Sequence, residues 1–268
     1  MRILRWGILI YAPLFLTVVT LHPQQRAADA TEASRIWEQM IDAKGGRSNL
    51  YRIETMVEET RDYFVYLYPI FAHGKAHSVK VYAFPNGEWR WDTAPIFGDV
   101  VQTADLSAGV AYIGYPKNDI RKGTDVRWEK EDLKNTQLVY LNETKWVKPK
   151  PVRVLLDKEI PKKVEAIETD LDGERIEFWV DRKNHLPVRI ITYYQSQYRA
   201  GLQPGYTWDL SDYQPMNGIQ IPNKISMIVL SGNPGTRRFT TVLNPKLRED
   251  LFTSPPRFED GPEAWKGK

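Results

Sequence analysis

The chain has 268 residues, with 37 basic and 34 acidic side chains and a formal net charge of +3. That near-balance removes any electrostatic case for nucleic-acid binding. The absence of cysteine excludes disulfides, thiol nucleophiles and acylation on cysteine.

Arg2 and Arg5 precede an uncharged, mostly apolar run from Gly7 to Leu21, and Ala28-Asp29-Ala30 follows as a small-x-small site. This is the pattern of a secretory signal peptide. The run is shorter than the ~20 residues of a spanning helix, and Pro13 interrupts it. The expectation is that residues 1–30 are cleaved and the mature chain is exported to the periplasm; a retained membrane anchor is the alternative. The mature balance falls to +1.

Thr31 to Lys44 is expected to form a helix. Ala33, Trp37, Met40 and Ile41 give it one apolar face, with Lys44 at the edge. Thr31 is the candidate N-cap, Gly45-Gly46 the stop, and residues 48–51 one further turn. Strand character begins at Ile53, with segments 53–59 and 63–70 around a turn at Arg61-Asp62. A hairpin follows around Pro85-Asn86-Gly87, in which Trp89 and Trp91 share a face opposite Glu88, Arg90 and Asp92. Short strands are expected at 98–104 and 109–115.

Thr124-Asp125 can cap a helix through Asn135, with Val126, Leu133 and Trp128 on its inner side. Residues 137–146 read equally as helix or strand, and Lys148-Pro149-Lys150-Pro151 ends whichever forms. From Val152 onward the pattern is a ladder of hairpins. Asp172-Gly173 turns into a segment where Ile176, Phe178 and Val180 alternate with Arg175, Glu177 and Trp179. Between Tyr206 and Leu247, Asn217-Gly218 and Ser231-Gly232-Asn233-Pro234-Gly235 separate three strands of a meander. Asn-Gly is the strongest of these signals, because a type I′ turn needs positive φ at both central residues.

The fold class expected is mainly β (α+β): a large curved antiparallel sheet or open half-barrel, with short helices over its concave face. One domain is expected over 31–256, with a flexible tail over 257–268.

Motifs for chemistry are sparse. His73 and His77 have metal-ligand spacing, but in a β-prone segment with no third ligand, so no metal or cofactor is expected. His185 is expected to face solvent. Asp170-Leu171-Asp172-Gly173-Glu174 reads as a hairpin turn before a calcium loop, since Phe178 would fall at the ninth position. The chain carries no nucleophile elbow, phosphate loop or dinucleotide fingerprint. Paired acids such as Glu58-Glu59 and Glu129-Glu131 carry no weight among so many carboxylates, and no catalytic residue is assigned.

Several motifs in order carry a resemblance. They are Val180-Asp181 through Leu186-Pro187-Val188-Arg189; Asp209-Leu210-Ser211-Asp212-Tyr213-Gln214 followed by Asn217-Gly218-Ile219-Gln220-Ile221-Pro222; and Val242-Leu243-Asn244-Pro245 with Leu251-Phe252 and Pro255-Pro256. Ala43-Lys44-Gly45-Gly46 after an amphipathic helix belongs with them. Together they resemble the LolA/LolB-like superfamily of outer-membrane lipoprotein carriers and sorting proteins; residues 75–151 carry none of it. The resemblance implies an open half-barrel whose cavity holds acyl chains, with lipid or lipidated protein as cargo and envelope membrane proteins as possible partners.

On this reading the protein is a periplasmic lipid- or lipoprotein-binding carrier. Trp37, Ile41, Trp89, Trp91, Trp128, Leu133, Phe178 and Val180 are the expected cavity lining. The alternatives are a non-enzymatic envelope scaffold or partner-binding module on the same fold, and an envelope hydrolase.

Overall fold

Two-residue turns set the architecture. Asp172 and Gly173 have φ of 54° and 87°, and Asn217 and Gly218 have 50° and 81°, the doubly positive pattern of type I′ hairpins. The computed structural model describes residues 23–64, 75–94, 100–115, 119–157, 159–195, 201–228, 235–252 and 265–266. The apolar run of the expected signal peptide, His73 and most of the expected tail lie outside these residues.

Three helices and fourteen strands are described: α1 (Pro23–Ala43), α2 (Arg47–Leu50), β1 (Thr55–Phe64), β2 (Lys75–Ala83), β3 (Glu88–Ala94), β4 (Val100–Asp105), β5 (Val110–Tyr115), β6 (Asp119–Gly123), α3 (Arg127–Tyr140), β7 (Lys150–Leu155), β8 (Val164–Leu171), β9 (Glu174–Asp181), β10 (Pro187–Gln195), β11 (Leu202–Met216), β12 (Ile219–Ile228), β13 (Gly235–Arg238) and β14 (Thr240–Leu243). They build two seven-stranded antiparallel sheets, ordered β14-β1-β2-β3-β4-β5-β6 and β13-β12-β11-β10-β9-β8-β7.

The sheets meet at a seam. The expected third strand of the meander is split: β13 pairs with β12, and β14 pairs with β1. Phe239 between them leaves the ladder, though its amide still bonds the Asn223 carbonyl at 3.0 Å. Crossing from one sheet edge to the other, the chain makes a curved, open half-barrel.

One face of this surface is buried. Met56, Tyr82, Trp89 and Ala104 from the first sheet cluster with Phe178, Val180, Ile190, Leu210 and Ile221 from the second, and with α1 and α3. These side chains follow the period-2 alternation of their strands, so this is the concave side. On the convex side of the first sheet, Val57, Val79 and Val81 pack under Leu251, joined by Leu247, Phe252 and Trp265 from the C-terminal segment. Beneath that segment Arg90 makes a two-pronged pair with Asp92 at 2.7 and 2.8 Å and donates to the Leu251 carbonyl at 2.9 Å. Bidentate geometry is what makes so buried a pair tolerable.

Several expectations are corrected. Thr31 lies inside α1, which begins at Pro23: the alanine-rich stretch before Thr31 holds no helix breaker, and proline is tolerated in the first turn. Arg61-Asp62 is an irregularity within β1, between the pairs Thr60↔Ser78 and Tyr63↔Ala76, and not a turn; a bulge absorbs the polar pair without ending the strand. The second long helix runs on to Tyr140 and starts after Val126, which provides no side-chain cap. His185 is half-buried at φ 57°, because it completes the tight turn into β10.

Candidate functional site

α1 is seated directly on the concave face. Ile36, Trp37, Met40 and Ile41 are all essentially inaccessible, and the Trp37 ring meets Phe178 edge-on with centroids 5.1 Å apart. The Trp37 indole N–H donates to Glu143 at 3.0 Å. Arg47 pairs with the same carboxylate at 2.8 Å, and Tyr51 donates its hydroxyl to it. Burial pushes the Glu143 carboxyl up, but these donors outweigh it and hold it below the ordinary range.

The end of α1 is locked against the Asn-Gly hairpin. Gly45 has φ 117°, and a Cβ there would run into the Gly218 carbonyl oxygen. Lys44 is fully buried, not at an edge. Its ammonium donates to the Tyr140 carbonyl at 2.7 Å and to the Gln220 carbonyl, and lies 5.2 Å from the centre of the Tyr213 ring. Burial lowers its pKa to about 7.

α3 stands differently. Between it and the middle of the half-barrel lies a cavity of about 190 Å³. Its apolar wall is Trp91, Trp128, Tyr206, Trp208 and Phe239, together with Val139, Ile225 and Met227. Its polar lining is Glu58 from β1, Lys80 from β2, Arg237 from β13, and Glu131, Asp132, Asn135, Thr136 and Tyr140 from α3. Glu131 and Tyr206 are shared with a wider groove of about 770 Å³ along β9–β11, which also takes in the exposed side chains of Tyr194 and Leu202.

α3 packs Leu133, Leu138, Val139 and Tyr140 into the core, and polar contacts hold it over this space as well. Asp132 accepts from Lys80 at 2.7 Å, from the Trp89 indole at 2.8 Å and from the Tyr82 hydroxyl at 3.2 Å. Lys134 pairs with Glu174 of β9 at 2.6 Å. Trp128, in the first turn, is 45% exposed; its ring packs 5.3 Å from Trp89 and 5.7 Å from Trp91. The Lys80 ammonium faces Trp91 and Trp128 at 5.4 and 5.5 Å.

Glu58 is the acid that the strands bring to this space, beside Glu131 and Asp132 of α3. It shares the inward parity of Met56 on β1, while Glu59 points the other way and meets His77 at 2.9 Å. Burial raises its pKa above the ordinary carboxyl value, against the pull of Lys80, Tyr140 and Arg237. Asn135 Oδ1, also at the cavity, is buried without a hydrogen-bond partner. Such atoms are costly unless something completes them.

Of the eight expected lining residues, Trp91 and Trp128 border the cavity, while Trp37, Ile41, Trp89, Leu133, Phe178 and Val180 lie in the packed core around it. The polar lining was not singled out from sequence. For Glu58 the usable signal is an acid at the inward parity of an otherwise apolar-facing strand. Among the described residues, no three histidine or acidic side chains gather as a metal site would require.

No protein-family model matches the chain, and no curated protein is similar to it in sequence. Solved structures are similar in fold at low identity. A domain assigned to outer membrane lipoprotein sorting from Vibrio parahaemolyticus is 12% identical over 84% of this chain and 97% of that one, with a TM-score of 0.46. A LolA superfamily protein from Nitrosomonas europaea is 13% identical over 83% and 97%, with a TM-score of 0.48. A DUF1329 family protein from Desulfovibrio piger is 11% identical over 85% and 97%, also with a TM-score of 0.48.

Proposed function

We propose that the protein is a non-enzymatic carrier of a lipid-like, amphipathic ligand, held between α3 and the concave face. One observation carries this reading: the aromatic-walled cavity shares Glu131 and Tyr206 with a neighbouring groove that has exposed apolar side chains. An engineered cavity of about 150 Å³ is enough to take one benzene, so the inner space suits one end of a ligand. The groove offers room for an acyl chain, each sequestered methylene contributing about 0.8 kcal/mol. Periplasmic action and a lipid or lipidated-protein cargo follow from the export pattern and from the motifs that resemble lipoprotein carriers.

A second reading, a fixed envelope scaffold, draws support from how much of the interior is already filled, by Trp37, Trp89 and Phe178 among others. Native mass spectrometry of the protein purified gently from the envelope separates the two. The carrier reading expects a co-purifying lipid or acylated peptide, or uptake when lipid is added back. A clean apo mass with no uptake would overturn it in favour of the scaffold.

A further inference from the structure

The charges that line the cavity are already answered within the protein. Lys80 pairs with Asp132 at 2.7 Å, and its ammonium faces the rings of Trp91 and Trp128. Glu58 has Lys80, Tyr140 and Arg237 close enough to act on it, and Arg237 is itself engaged. Glu131 accepts from Asn135 at 3.2 Å and pairs with Lys134 at 2.8 Å. A charged group brought into this space would lose its water without gaining a free counter-charge, which is costly. That favours a ligand whose inner end is uncharged.

One lining side chain is left unanswered. Asn135 of α3 is 8% exposed and borders the cavity. Its Nδ2 donates to the Glu131 carboxylate. This bond fixes the orientation of the amide, because its oxygen turned toward a carboxylate would be repelled. Oδ1 remains, a buried acceptor with no donor among the described residues. A site with an unpaired acceptor discriminates in favour of ligands that bring the missing hydrogen. An apolar wall stands ready for the rest of such a ligand. Tyr206 and Trp208 stack there with centroids 5.4 Å apart, and Tyr206 also borders the groove.

We infer that the inner end of the ligand is uncharged and carries a hydrogen-bond donor, a hydroxyl or an amide N–H, which it gives to Asn135 Oδ1 beside the Tyr206–Trp208 stack. This rests on the carrier reading and names its ligand class: a neutral amide- or hydroxyl-bearing chain, preferred over one that is ester-linked or unsubstituted. Asn135 sets the preference. Chains without the donor enter as well, less tightly.

Isothermal titration with two pairs of short-chain probes tests it: N-methyloctanamide against methyl octanoate, and octan-1-ol against methyl heptyl ether. The members of each pair match in size and differ in the donor. In at least one pair the wild type should bind the donor-bearing member about tenfold more tightly, the scale of one hydrogen bond to an otherwise unpaired buried acceptor. A preference confined to one pair supports the inference and tells amide from hydroxyl. Asn135→Leu should erase the preference while leaving ester and ether binding unchanged. Far-UV circular dichroism checks that this variant folds, and Asn135→Ala takes its place if it does not. Octanoate and octylammonium should bind no more tightly than the ester. Equal affinities within both pairs, a preference that survives loss of the Asn135 amide, or tighter binding of a charged probe overturns the inference and leaves the carrier reading standing. Binding of none of the probes overturns both.

Discussion

α1 and α3 lie over the same concave surface, yet one is packed into it and the other spans a hollow. α1 buries Ile36, Trp37, Met40 and Ile41 and ends in a backbone contact too close for any side chain at Gly45. α3 buries Leu133, Leu138, Val139 and Tyr140 but leaves Trp128 45% exposed, and it also reaches the sheets through Asp132 and Lys134. What is left unfilled lies beside α3, whose buried side chains leave Trp128 at the cavity's edge.

The largest expected break in this contrast is Trp37→Ala. It removes a fully buried ring, its edge contact with Phe178 and a donor to Glu143. Urea unfolding should show a loss of about 3–5 kcal/mol. Gly45→Ala comes next. It forces a side chain into positive φ and against the Gly218 carbonyl, and should cost about 2–4 kcal/mol in the same measurement.

Lys44 sharpens the contrast through pH. Its pKa falls from the ordinary 10.5 to about 7 on folding, so between those values the unfolded chain binds a proton that the folded chain does not. Stability from this group therefore rises with pH from about 7 to 10.5, and is insensitive below that window. Between pH 7 and 9.5 the wild type should gain about 2–3 kcal/mol relative to Lys44→Met, read as a difference in urea midpoints; equal slopes would show that Lys44 is solvated.

Trp128→Ala should have the smallest effect on stability, about 1 kcal/mol, since it removes ring contacts from a half-exposed site. Its larger effect should be on ligand uptake, measured by the same native mass spectrometry as above. A variant that takes up lipid as the wild type does would place the ligand elsewhere.

Much of the fold is legible from local rules. Asn217-Gly218 and Asp172-Gly173 specify their turns by conformation alone, and the alternation of Ile176, Phe178 and Val180 gives the inward face of β9. The split at Phe239 is not legible, because nothing in the run from Gly235 to Leu243 marks where one ladder ends and the next begins. Of the eight expected lining residues, only Trp91 and Trp128 border the cavity. Aromatic residues point to an interior but do not distinguish one that is filled, as at Trp37 and Phe178, from one that is open, as at Trp91 and Trp128. That difference depends on how far α3 stands off the sheets. By composition Glu58 is one acid among many, although its parity with Met56 aims it inward. Lys44 looked like the polar edge of a helix, and the seam between α1, α3 and β12 buried it.

The most direct test of a hollow under α3 and a filled surface under α1 is fluorine NMR of the protein labelled with 5-fluorotryptophan, titrated with short-chain phospholipid. Single Trp→Phe variants assign the resonances. The account predicts that Trp91, Trp128 and Trp208 shift together and saturably while Trp37 stays fixed. Shifts at Trp37 with none at Trp128, or no saturable shift at any of the cavity tryptophans, would contradict it.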